Sequence, residues 1–193
     1  MTQLGNTALD AADIILHAYD SNDFSLTTGL MGKVIRLCEM SSELLPDQKD
    51  VVMSITETFL NSIIDRIGSG KNLFDFDSGV CGILWGIEFL ISNGHVESDP
   101  KEILSDVNSL ILSSELHALS TNEAKGLLFY VAADVCNCDK LHLTSDFNCS
   151  FLQRLLQAAP IGAAPEEWAY LKGVVDGLPT RYELKCKIPS FQH

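Results

Sequence analysis

Basic residues are scarce: 13 Lys and Arg stand against 26 Asp and Glu in 193 residues, a formal charge of −13. A surface of that sign repels phosphate backbones and anionic headgroups, which argues against nucleic-acid and membrane partners. Long apolar runs are missing too. No run reaches the roughly 20 residues of a spanning helix, and the Met1 end, MTQLGNTALDAAD, has no basic segment followed by an apolar one. The expectation is a soluble cytoplasmic protein. The six cysteines (Cys38, Cys81, Cys136, Cys138, Cys149, Cys186) lack a secreted framework and sit mostly in helical patterns, which favours reduced, buried thiols. No glycine pair is followed by the Lys and Ser/Thr of a phosphate-binding loop, and the five histidines are too scattered to assemble a catalytic set from spacing.

What is present is hydrophobic content, 46% of the chain, enough for one sizeable core and a single domain over residues 1–193. The organising stretch runs from Asp77 to Asn93. Gly79, Gly82 and Gly86 share one helix face there, apolar residues cover the rest, and only Glu88 interrupts them. This pattern predicts an inner helix whose glycines let another backbone come close. Glycine costs a helix about 1 kcal/mol relative to alanine, so tertiary packing has to compensate.

Before it, a helix from about Thr7 to Asp20 should bury Ala8, Ala12, Ile15 and Tyr19. A second inner helix follows Gly29 and Gly32, and an amphipathic one runs from Pro46 to about Ile67. After Asn93-Gly94, Asp99 and Pro100 open another amphipathic helix. Thr121 or Asn122 starts an inner one containing Gly126, Ser145 caps an outer one with Phe147, Phe151, Leu155 and Ala158 on one side, and Pro165 opens a last inner helix with Gly173. Gly32, Gly82, Gly126 and Gly173 recur at steps of 50, 44 and 47 residues, the mark of stacked helix pairs. The end differs. From Tyr182 to Ile188 apolar and polar residues alternate, so 181–193 reads as an extended tail.

GLMGKVIRLCEM (29–40) and SGVCGILWGIEFLISNG (78–94), with the D-x-x-E-I-L continuation of the second, resemble the inner and following outer helices of lanthionine synthetase C-like proteins. The resemblance implies an α/α toroid, inner helices lining a lumen and outer helices around them. That family closes its ring with seven pairs, whereas about four hairpins are counted here, so an incomplete toroid is expected. Its catalytic members hold zinc through a Trp-Cys-Tyr-Gly run and a Cys-His-Gly run, and neither occurs in this chain. The resemblance therefore implies the fold and a setting in peptide maturation, without the reaction.

Two local sets compete as chemistry. Cys136, Cys138, His142 and Cys149, in CNCDKLHLTSDFNC, are ligand types that could hold zinc, although their spacing is not that of paired chelating turns and idle thiols are the plainer reading. Asp75 and Asp77 precede the organising helix and could work as acid and base, yet an acid in that position is ordinarily a cap. Glu88 must meet a polar partner or raise its pKa. Asp75, Asp77, Trp85 and Glu88 are thus the candidate peptide- or partner-binding residues. The reading is all-α and non-catalytic: a lanthionine cyclase-like binding module with a peptide, protein or second copy as partner and no cofactor. The alternative is a zinc-dependent peptide cyclase or an acid-base enzyme in a reduced toroid.

Overall fold

A computed structural model describes residues 2–19, 21–67, 74–158, 173 and 176–178. Gly68 to Gly70, the helix expected after Pro165, Trp168, Cys186 and the alternating tail lie outside the described residues. Within them the chain is all-α, with seven helices and no strand: α1 (Thr2–Tyr19), α2 (Leu30–Met40), α3 (Pro46–Ile64), α4 (Val80–Ser92), α5 (Pro100–Leu112), α6 (Thr121–Lys140) and α7 (Cys149–Ala158). None of these is long and apolar enough to cross a membrane.

The helices start where the sequence offers a means of capping. Pro46 begins α3, and the Gln48 side chain accepts from the Leu45 N–H at 3.3 Å. Asp99 accepts from the Lys101 N–H at 2.9 Å, with Pro100 opening α5. Ser120 and Glu123 cap α6 reciprocally, each side chain taking the other's N–H. Helix α4 ends at Gly94, whose φ of 71° turns the chain so that the His95 N–H reaches back to the Leu90 carbonyl at 2.9 Å.

Helix α4 packs against α2 on one side and α6 on the other, while α3 lies on α2, α5 on α4 and α7 on α6; α1 contacts both α2 and α3. Ten of the thirteen residues of α4 are buried, as an inner position requires. Gly82, Gly126 and Gly32 admit backbone, as expected, but that of a turn and not of a neighbouring helix, whereas Gly86 meets the Met31 side chain of α2. A Cβ at Gly82 would run into the Phe76 carbonyl of the turn leading into the same helix, and one at Gly126 would run into the Phe74 carbonyl of that same turn. Gly32 meets its own lead-in turn at the Leu26 carbonyl. The turn before α4 is therefore clamped between α4 and α6, and the Thr27 hydroxyl donates to the Asp77 carbonyl at 3.1 Å to join it to the turn before α2.

Three expectations need correction. Helix α1 begins at Thr2, and of the expected stripe Ala8 and Ile15 pack partly buried against the core while Ala12 and Tyr19 are exposed, because the helix is turned so that Thr7, Ala11 and Ala18 are buried most deeply. Ser145 does not cap α7. Its hydroxyl is given to Asp134, and Asn148 accepts from the Phe151 N–H instead. Cys136 reads from the sequence as the end of its helix, but α6 runs on to Lys140, so Cys136 and Cys138 both lie inside it.

Candidate functional site

Where the lead-in turns meet α4 and α6, aromatic rings collect. Phe76 in the turn stands edge-on to Trp85 of α4 and to Phe129 of α6, with centroids 5.9 and 5.1 Å away, and Trp85 stacks on Phe89 at 5.4 Å. All four are only partly buried. Pairs of this geometry add about 0.5–1.5 kcal/mol beyond the area they bury, enough to hold the rings as a fixed wall. Phe76, Trp85 and Phe129 border a cavity of about 430 Å³ that Leu26, Cys136 and Gly177 also line, and Phe89 supports Trp85 from outside it. The Cys136 thiol points to the Gly177 carbonyl at 3.8 Å, and burial raises its pKa, so little of it is thiolate at neutral pH and it serves as part of the wall. An apolar recess walled by rings accepts an aliphatic or aromatic side chain.

Asp75 and Asp77 lie in the turn that carries Phe76. The Asp75 carboxylate accepts from the Ser78 N–H at 2.8 Å and from the Ser78 hydroxyl at 2.9 Å, so it holds the turn together. Asp77 is exposed, and its main chain receives Thr27. The aspartates shape the aromatic wall from behind.

Glu88 is fully buried and does not line the cavity. It meets the polar network that an acid on an apolar helix requires. Asn137 donates to its Oε2 at 2.8 Å, while its Oε1 has no hydrogen-bond partner among the described residues. Burial, and secondarily the nearby Asp134, raise its pKa to about 7; the Asn137 hydrogen bond opposes them. Burial also raises the Asp134 carboxyl, against the Ser145 hydroxyl that stabilises its charge. Each carboxyl shifts the other's pKa, which makes Glu88 and Asp134 a coupled carboxyl pair between α4 and α6. Beside them the Tyr130 hydroxyl donates to Asn108 at 2.6 Å, and Asn108 donates to Asp146 at 3.2 Å.

The zinc candidates are not gathered. Cys138 is buried, Cys136 faces the aromatic cavity, His142 is exposed with a φ of 58°, and Cys149 starts α7. Among the described residues no three His, Cys, Asp or Glu side chains form a group able to hold a metal ion.

No known relative decides the matter. Comparisons with protein families, with curated proteins and with solved structures found no match. The site therefore stands on its own geometry. Sequence reasoning located Trp85 but missed Phe76, Phe129 and Asp134. Asp134 had a signal of the same kind as Glu88, a lone acid in the apolar run from Leu127 to Val135, whereas nothing local marks two phenylalanines 53 positions apart as neighbours.

Proposed function

We propose that this chain is a non-catalytic peptide- or protein-binding module, and that the recess between Phe76, Trp85 and Phe129 receives the apolar anchor residue of its ligand. One observation carries the reading: a ring-walled, half-buried cavity whose bordering turn is fixed by the glycine contacts and by Asp75. Rigid aromatic surface binds apolar side chains at small entropic cost.

The resemblance of residues 29–40 and 78–94 to lanthionine synthetase C-like proteins is the support for an accessory role in the maturation of a ribosomally made peptide. In this reading α2, α4 and α6 are successive inner helices of an incomplete toroid, α3, α5 and α7 their outer partners, and a second copy could cover an open edge. The absence of the Trp-Cys-Tyr-Gly and Cys-His-Gly runs supports a role without zinc chemistry. The rival reading is an acid-base enzyme. The Glu88 and Asp134 pair favours it, but both carboxyls are sealed between helices, with exposures of 0% and 3%, where a substrate does not reach them.

The test is selection from a displayed library of random twelve-residue peptides. Enriched sequences should share an aromatic or large aliphatic residue and lose at least about tenfold in affinity, roughly 1.4 kcal/mol, for Trp85→Ala or Phe129→Ala. Absence of enrichment, or equal binding to both variants, rejects the proposal.

A further inference from the structure

On the opposite, outer side of the helix pairs there is a second and larger concavity. Helix α3 packs on α2 and α5 on α4, and between α3 and the turn from α4 to α5 the surface opens into a groove of about 670 Å³. One flank of α3 lines it over its whole length, from Asp50 through Met53, Glu57 and Leu60 to Ile64. Fourteen residue steps at 1.5 Å give a trough of roughly 20 Å, about four turns of helix. The apolar part of its lining includes Val34, Cys38, Met53, Leu60, Ile64 and Ile103, interrupted by polar Thr56, Asn61 and His95.

Its banks are acidic. Asp50 and Glu57 are exposed and two turns apart on one row of α3, and Glu97 is exposed on the facing turn. No lysine or arginine among the described residues lines the groove. A trough about four helical turns long, with an apolar strip and carboxylates on both banks, matches an amphipathic helix carrying apolar residues at i, i+3 or i+4 and i+7 with lysine or arginine beside them.

We infer that this groove is a docking site for a basic amphipathic helix of a partner protein, independent of the aromatic recess. A second copy of the chain fits less well. The exposed apolar stripe that this chain could offer, Leu9, Leu16 and Tyr19 on α1, is accompanied by Asp10 and Asp13 and would set like charge against the banks.

The test uses the full chain and a fluorescein-labelled fifteen-residue peptide with leucines at heptad spacing flanked by lysines, beside a scrambled peptide of equal composition. The patterned peptide should bind saturably with micromolar affinity and weaken several-fold when salt rises from about 50 to about 300 mM. Affinity should fall at least about tenfold in the double variant Asp50→Lys, Glu57→Lys and in the plugged variant Ser54→Trp, all exposed positions. Asp13→Lys with Glu115→Lys changes net charge equally elsewhere and should keep affinity within about twofold, as should Trp85→Ala, which disables only the recess. Equal loss in the distant charge variant, equal binding of the scrambled peptide, or no saturation would overturn the inference. So would a concentration-dependent dimer that Ser54→Trp dissolves, because the occupant would then be this chain itself.

Discussion

Asn137 of α6 holds Glu88 of α4 by both ends: its side-chain amide lies 2.8 Å from the carboxylate Oε2 and 3.2 Å from the main-chain carbonyl of the same residue. The two most closely associated helices of the fold are thus joined across their apolar contact by an ionisable group. That placement makes the interface sensitive to pH.

In the unfolded chain Glu88 loses its proton near pH 4.5, in the folded chain near 7. Between those values the folded state holds the additional proton, so stability declines as pH rises through the window and levels off above it, a loss of about 3 kcal/mol. Asp134, also shifted upward, acts in the same direction. Glu88→Gln keeps an acceptor for Asn137, so its unfolding free energy should fall less steeply than that of the wild type between pH 5 and 8, the remaining slope belonging to Asp134. Urea titrations at several pH values check this, and an unchanged slope in the glutamine variant would assign the dependence to other groups.

Gly82→Ala and Gly126→Ala should each destabilise by about 2–4 kcal/mol, despite the gain of about 1 kcal/mol in helix propensity, because the new methyl meets main-chain atoms of the clamped turn. Gly86→Ala meets the Met31 side chain, which has rotamers to yield, and should cost less than either. Denaturant midpoints give the order. A Gly86→Ala loss exceeding the other two would mean that the turn is not the tight contact.

Ser145→Ala removes the hydroxyl given to Asp134 and leaves a buried carboxyl without that donor. The expected cost is about 1–3 kcal/mol, larger at pH 8 than at pH 5, because the charged carboxylate needs the donor more than the neutral acid does. Thermal unfolding at the two pH values measures it; equal losses would mean that the Asp134 charge is stabilised elsewhere.

Purified protein should contain no stoichiometric zinc, because Cys136, Cys138, His142 and Cys149 do not converge on one point. Elemental analysis decides. One zinc per chain, lost in Cys138→Ser, would restore the metal site and with it the enzyme reading.

How much of this was legible in the sequence depended on the range of each interaction. Gly94, Asp99 with Pro100, and the burial of α4 were readable because a turn, a cap and an apolar run are local features. Helix α1 was read only in part: Ala8 and Ile15 of the expected stripe pack on the core, but the deepest positions are Thr7, Ala11 and Ala18 one residue away, because periodicity does not fix a helix's rotation to within a residue when small side chains flank both rows. The glycine rows were readable, but their partners were not: the backbone that crosses Gly82 and Gly126 belongs to the turn at 74–76. Glu88 announced a polar partner without naming Asp134, 46 residues away, and the recess needed Phe76 and Phe129 brought together by the clamp.

The binding claim is tested most directly by footprinting Cys136 with iodoacetamide and mass spectrometry, with and without a saturating peptide selected from the library. Cys136 lines the recess, and the likewise half-buried Cys149 at the start of α7 serves as an internal reference. The account predicts that bound peptide slows alkylation of Cys136 several-fold and leaves Cys149 unchanged. Undiminished alkylation of Cys136 under saturating peptide would place the ligand elsewhere and contradict it.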